Sequence, residues 1–170
     1  MRIKKVKVTK ENKIMMVYEV RNQKGIFTDE YSFTCSEEAR PEFYTAMENL
    51  REHVIDMCEL PADYIDRIRV RGVSFSYGGG NDTMGATISA AMSLENSYSA
   101  LNLLTPHKAS EMYNPNTPDD EKQLLTGDCI DALLALQAEC IRYIEGERAQ
   151  GSLFPMESAS PDNAEAEQLN

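Results

Sequence analysis

Residues 66–95 constrain the fold more than any other stretch of this chain. From Met84 to Leu94 every even-numbered position is apolar, while most odd-numbered positions are small or polar. That two-residue period is typical of a β-strand with one buried face and one open face. A first alternating run precedes it and changes phase at Gly72, which predicts a β-bulge. Residues 78–82, GGGND, separate the two runs and favour a chain reversal. The stretch therefore predicts a long, bent antiparallel hairpin at the centre of a sheet.

The flanking segments predict further strands and two helices. Segments rich in β-branched and aromatic residues favour strands, and apolar residues spaced three and four apart predict a helix between Ser36 and Leu60. The strands predicted in addition to the hairpin cover residues 3–9, 13–21, 26–35 and 98–104. The resulting order, β-β-β-α-β-β-β-α, predicts an α+β fold in which helices cover the apolar faces of one antiparallel sheet, or of two.

The second predicted helix begins after Thr117, which is placed as its N-cap. Pro118 takes the first helical position, and acidic residues follow where the helix dipole favours negative charge. Gly127 is expected to mark a break or a weak first segment. The predicted core face of this helix consists of Cys129, Leu133, Leu136, Cys140 and Ile144.

Composition limits the classes of function. The net charge of −11 argues against nucleic-acid binding by the whole surface, yet eight basic residues lie within the first 25 positions. No apolar segment follows the basic N-terminus and no run has the roughly 18 apolar residues of a membrane span, so we expect a cytoplasmic protein. The four cysteines lack the paired short spacing of a zinc site. We expect reduced cysteines, no metal and no cofactor.

The composition also divides the chain into two parts. We expect one α+β domain over residues 1–148, followed by a flexible acidic tail over residues 149–170. From residue 155 onward the tail is poor in large apolar side chains and carries only acidic charge.

Basic side chains alternate along two of the predicted strands. Arg67, Arg69 and Arg71 are expected on one face of the first hairpin strand, while Lys5 and Lys7 share a face of the first strand of the chain. If these strands are neighbours, they form a basic face with Tyr and Phe side chains available for base stacking. We predict that this face binds single-stranded DNA. The alternative is that these side chains solvate the open side of the sheet and pair with carboxylates.

The order of elements is similar to that of whirly-type single-strand DNA-binding proteins, which place nucleic acid on a sheet face. The resemblance is one of element order alone. It implies a mode of binding without assigning residues to it.

A short motif lies where the second helix gives way to the tail. Gln150 opens the sequence QGSLF, which resembles the motif Gln, any residue, Ser or Asp, Leu, Phe. Bacterial polymerases, repair factors and some phage proteins bind the sliding clamp with this motif. The resemblance implies polar contacts by Gln150 and Ser152, and an apolar pocket filled by Leu153 and Phe154. Gly151 departs from the usual Leu. Alternatively, Leu153 and Phe154 fold back onto the second helix and cover core surface.

A further resemblance involves six segments spread over the folded part. They are ARPEFY (39–44), CELP (58–61), GVSFSYGG (72–79), MGATISA (84–90), LNLLTPHK (101–108) and GERAQGSLF (146–154). These segments are similar to proteins encoded by phages and prophages of gut Firmicutes. The resemblance implies a phage origin and assigns no activity.

These observations favour a non-enzymatic accessory protein of phage DNA metabolism, which contacts single-stranded DNA through the basic face and docks on the host sliding clamp. No catalytic constellation in the sequence names a reaction. Two alternatives stay open. One is a module that binds or inhibits a host replication or defence protein through its acidic surface, without DNA binding. The other is an enzyme whose polar pocket the sequence does not reveal.

Overall fold

One antiparallel sheet of seven strands carries the fold. The computed structural model describes residues 1–112 and 121–149. The strands are β1 (Arg2–Val8), β2 (Ile14–Arg21), β3 (Phe27–Cys35), β4 (Ile68–Gly78), β5 (Thr83–Leu94), β6 (Ser97–Leu104) and β7 (Lys108–Ala109). Their order across the sheet is β3-β2-β1-β4-β5-β6, and β7 pairs with β5 beside β6. The α-helices are α1 (Pro41–Glu48), α2 (Arg51–Met57) and α3 (Gly127–Ile144). The predicted α+β class with an antiparallel sheet is thus confirmed.

The predicted central hairpin is present and lies in the middle of the sheet. The pairing of β4 with β5 runs from Ile68 opposite Met92 to Gly78 opposite Thr83, and its register shifts between Val70 and Gly72. The shift is the predicted bulge. The hairpin and its bulge could be predicted from local sequence, because the alternation and its interruption both occur within consecutive residues.

The first predicted helix is divided into two. α1 ends at Glu48 and α2 begins at Arg51. Between them the amide of Leu50 donates to the carbonyl of Met47, three residues back, at 3.2 Å, instead of four residues back. This tighter turn redirects the chain. Leu50 is still fully buried, so the apolar stripe is continuous although the helix is not.

The second predicted helix starts later than expected. Thr126 is the N-cap of α3, and its hydroxyl accepts a hydrogen bond from the amide of Cys129 at 3.2 Å. Just before it, the amide of Leu125 donates to the carbonyl of Ala109 at 2.8 Å, which ties this segment to β7 and excludes it from the helix. The predicted cap Thr117 lies outside the described residues. α3 therefore begins at Gly127, the position at which the sequence predicted a break or a weak first segment.

The helices pack on one face of the sheet. Ile3, Val6, Met16, Val73 and Ile88 are buried there at 2% exposure or less. They belong to one core together with the predicted face of α3, of which Cys129, Leu133, Leu136 and Cys140 are buried. None of the helices in the described ranges is both long and apolar enough to cross a membrane.

Candidate nucleic-acid interface

The opposite face of the sheet is polar and bears residues from six neighbouring strands. We call it the open face, and the pairing register places two continuous rows of residues at its centre. The first row is Thr34, Met15, Lys7, Gly72, Ser89 and Leu104, and the second is Ser32, Val17, Lys5, Ser74 and Thr87. Most members are small or hydroxylated, so the backbone of the sheet is approachable across its centre.

Lys5 and Lys7 project from the middle of the open face. Val6 between them is fully buried in the core, and alternation along β1 turns both lysines outward, where they are exposed. The register of β1 slips between Ile3 and Lys5. Because of this slip, Ile3 and Val6 both reach the core although three positions separate them.

Arg69 and Arg71 extend this positive charge on the neighbouring strand. Arg69 lies opposite Ala91 and is exposed, and Arg71 is the extra residue of the β4 bulge. Gly72 follows and allows β1 and β4 to come close: a Cβ there would collide with the carbonyl oxygen of Val6 and lie 3.1 Å from the Cα of Lys7. The glycine thus brings the backbone next to Arg71 against that of Lys7. We call Lys5, Lys7, Arg69 and Arg71 the cationic strip.

No member of the cationic strip forms an ion pair within residues 1–112 and 121–149. Other cations of the same strands do. Arg2 donates to the carboxylate of Glu19 at 2.6 Å, and Lys4 donates to it at 3.2 Å. Among the described residues, the basic side chains of β1 that pair with a carboxylate are therefore Arg2 and Lys4, and the members of the strip do not.

The paired group has a distinct electrostatic state. Burial disfavours the charge on Glu19, but the hydrogen bonds and positive charges of Arg2 and Lys4 outweigh it and hold the pKa of this carboxyl below its usual value. Arg2 also lies over the ring of Tyr77, 4.7 Å from its centroid. These contacts engage Arg2 and Lys4 in holding the sheet together at the start of β1.

Arg67 does not belong to the strip, contrary to the sequence interpretation. It ends a 3₁₀ helix, Ala62–Arg67, instead of lying in a strand. Its Nε donates to the carbonyl of Ser93 at 2.9 Å, and its guanidinium lies 4.7 Å from the ring centre of Tyr64. A weak contact of 3.9 Å joins it to Glu95. Arg67 therefore ties the start of β4 to the end of β5.

A cleft of about 560 Å³ opens at one end of the cationic strip. It exists because β1 pairs with β4 only between Lys5 and Lys7, which leaves the segment from Ile68 to Arg71 without a partner on that side. Arg51, Arg69 and Arg71 line this cleft, and so do Glu11, Glu38 and Glu48. Its mixed charge makes it a poor pocket for a free anion, so the strip on the open face is the better candidate site.

The aromatic side chains expected beside the basic residues lie on the other face. Phe33 stacks on Tyr143 of α3 with ring centres 6.2 Å apart, which places it on the helix side. Tyr31, two residues earlier, stacks on Tyr18 at 5.5 Å on that same side. The open-face rows contain no aromatic residue. The predicted base stacking therefore has no platform in the two rows beside Lys5 and Lys7, whereas Tyr44 lines the cleft that Arg69 and Arg71 also line.

One polar pair on the open face was not predicted. The Nε2 of His107 and the hydroxyl of Ser76 lie 2.7 Å apart. The imidazole sits directly above Gly85, where a Cβ would collide with it. A glycine inside an otherwise alternating strand signals such a close approach, but the identity of the approaching residue depends on the loop after β6. The pair holds that loop against the sheet.

The predicted clamp-binding residues Gln150, Ser152, Leu153 and Phe154 lie outside the described residues. Among the residues that are described, no group of three or more His, Cys, Asp or Glu side chains is arranged to hold a metal. All four cysteines are free, with Cys129 and Cys140 buried.

Comparison with known proteins gives no assignment. No family model, no curated protein and no solved structure matches this chain.

Proposed function

We propose that this protein is a non-enzymatic accessory factor of phage DNA metabolism that binds single-stranded DNA through its open face. The observation that carries the proposal is the cationic strip: Lys5 and Lys7 lie on the open face, Arg69 and Arg71 lie beside them on β4, and none of the four forms an ion pair with a carboxylate among the described residues. A cation without an internal partner is free to neutralise a phosphate and release its counterion.

The surroundings of the strip favour a flexible polyanion. The hydroxylated side chains of Ser74 and Thr87 flank the lysines across the sheet, and such groups donate hydrogen bonds to phosphate and sugar oxygens. Because the open-face rows contain no aromatic residue, binding energy comes from the phosphates instead of from base stacking. We expect weak base preference and strong dependence on salt.

The second part of the proposal concerns the segment from Gln150 to Phe154. Its likeness to the clamp-binding motif supports docking on the host sliding clamp, with Leu153 and Phe154 as the apolar anchors. Docking there would hold the open face close to DNA at the replication fork. A linked pair of weak contacts gains affinity through effective concentration.

The DNA-binding part is tested by removing two charges at a time. We expect the Lys5→Gln, Lys7→Gln variant to bind an oligothymidine strand at least about tenfold more weakly than the unmodified chain, measured by fluorescence anisotropy at low salt. The control is the Lys10→Gln, Lys24→Gln variant, which makes the same charge change in exposed turns. Equal weakening in the two variants, or no binding by the unmodified chain, would contradict the proposal.

Clamp docking is tested separately. The full chain should bind a purified bacterial sliding clamp in a pull-down and by calorimetry, and the Leu153→Ala, Phe154→Ala variant should not. The Met156→Ala, Leu169→Ala variant removes two large apolar side chains from the tail (residues 149–170) but outside the motif, and it should bind the clamp normally. Binding that survives the first variant would reject the motif.

A further inference from the structure

The sheet has two edges that differ sharply in chemistry. β3 forms one edge and β6 the other, and no strand in the described ranges pairs with the outer side of either. An edge strand presents unpaired N–H and C=O groups to any passing strand, and proteins usually protect it with charges or proline.

The β3 edge has such protection. Asp29 and Glu30 lie within the strand and are exposed. A second strand that added to β3 would have to approach these carboxylates. A two-fold contact between two β3 strands would bring Asp29 and Glu30 of both copies into one interface, where their like charges repel.

The β6 edge has none. Its sequence, SYSALNLL, contains no acidic residue, no basic residue and no proline. Tyr98 is fully exposed, Leu104 is 70% exposed and Leu101 is 45% exposed, while Leu94 adds to them from the end of β5. These four account for half of the eight large apolar side chains that are exposed in the described part of the chain. Such a concentration of exposed apolar side chains along one open edge is typical of an interface.

We infer that β6 pairs with β6 of a second copy of this chain, antiparallel and about a two-fold axis. The charge distribution selects this occupant. A two-fold contact brings the same patch of both copies together, and β6 is an edge where two copies of an acidic protein can meet without opposing carboxylates. Eight residues give a pairing length of about 27 Å, and the apolar side chains of Tyr98, Leu101 and Leu104 from both copies add to it.

Pairing at β6 would join the two sheets into one. Leu104 lies in the same cross-strand row as Ser89, Gly72 and Lys7, so the open face would continue from one copy into the next. The inference does not depend on DNA binding, because it concerns the edge and not the cationic strip.

The mass of the full chain in solution tests the inference. Sedimentation equilibrium from about 1 to 100 μM should give a dimer, and a Tyr98→Glu, Leu104→Glu variant should raise the dissociation constant at least about tenfold by placing like charges across the contact. The control is an Ile26→Glu, Leu134→Glu variant, with the same charges at exposed apolar positions elsewhere, and it should remain dimeric.

Hydrogen exchange of the unmodified chain removes any dependence on the folding of a variant. The outward amides of β6 should be protected in the dimer, whereas those at the outer side of β3 should exchange freely. A chain that is monomeric throughout the concentration range contradicts the inference, whether β6 is exposed or covered by another segment of the same chain. A dimer that the β6 variant leaves intact contradicts it as well.

Discussion

Consecutive residues of the same strands produce two sheet faces with opposite chemistry. On the helix side, β4 and β5 contribute Val73 and Ile88, both buried at 2% exposure or less. On the open side, the residues adjacent to these in sequence are Ser74 and Thr87, which are small and hydroxylated and lie in a row with Lys5. The buried face therefore provides the stability of this protein, and the open face can carry binding groups at little cost to the fold.

The largest expected effect comes from adjacent positions that face opposite ways. Ile88→Ala removes a fully buried side chain and should lower the free energy of unfolding by about 2–5 kcal/mol through lost burial and a cavity. Thr87→Ala, one residue earlier on the open face, should change it by less than about 1 kcal/mol. Urea unfolding monitored by circular dichroism measures both. Similar losses would mean that the open face also bears stability.

Gly72 is an exception on the open face, because stability depends on it: it allows the close approach of β1 to β4. Gly72→Ala should cost about 1–3 kcal/mol, since its Cβ would push against the Val6 carbonyl and separate β1 from β4. Gly80→Ala is the matched control, as nothing lies within 4 Å of a Cβ at Gly80. Unfolding midpoints in urea compare the two variants. A Gly72→Ala variant as stable as the control would refute the close approach.

A smaller effect is expected at a polar contact on the helix side. The hydroxyl of Tyr77 donates to the carbonyl of Ile3 at 2.7 Å and accepts from the side-chain amide of Gln137 at 2.9 Å. Burial raises the pKa of Tyr77 to about 12, so the hydroxyl keeps its proton in neutral solution. Tyr77→Phe leaves these partners unsatisfied and should cost about 1–2 kcal/mol in thermal or urea unfolding. Tyr31→Phe, at an exposed position outside the proposed β6 contact, should have no measurable effect.

The smallest expected effect concerns Glu19, the carboxylate that pairs with Arg2 and Lys4. The folded-state pKa of Glu19 is lowered, so its contribution is complete above the unfolded value of about 4.3 and is lost as the pH falls through the lower folded value. Glu19→Gln should therefore be less stable than the unmodified chain at pH 7, and the difference should shrink at pH 3. Denaturant unfolding at the two pH values measures it. A difference that grows toward acid pH would have the wrong sign.

The sequence predicted the long elements because their signals are local. Alternation places the residues of β4 and β5 on the correct faces, and the phase change at Gly72 gives the bulge. The same alternation predicted that Lys5 and Lys7 share a face. The sequence could not show that β1 and β4 are neighbours. Their pairing in the structure is what brings the lysines of β1 next to the arginines of β4.

The features that were mispredicted or missed depend on tertiary contacts. Arg67 follows the alternation in sequence, but the chain stays in a 3₁₀ helix up to that residue and the side chain is held by Ser93. The late start of α3 depends on the hydrogen bond that the amide of Leu125 donates to the carbonyl of Ala109. Periodicity gave Phe33 a place in a strand, yet only its stack on Tyr143 decides its face. Each outcome is set by a partner far away in the chain.

The most direct test of the account is the salt dependence of single-strand binding. For four phosphate contacts, the logarithm of the binding constant should fall against the logarithm of salt concentration with a slope of about −3. The Arg69→Gln, Arg71→Gln variant should halve that slope to about −1.4, because two of the four contacts are lost. An unchanged slope in this variant, or a slope near zero in the unmodified chain, would contradict the claim that the cationic strip binds DNA.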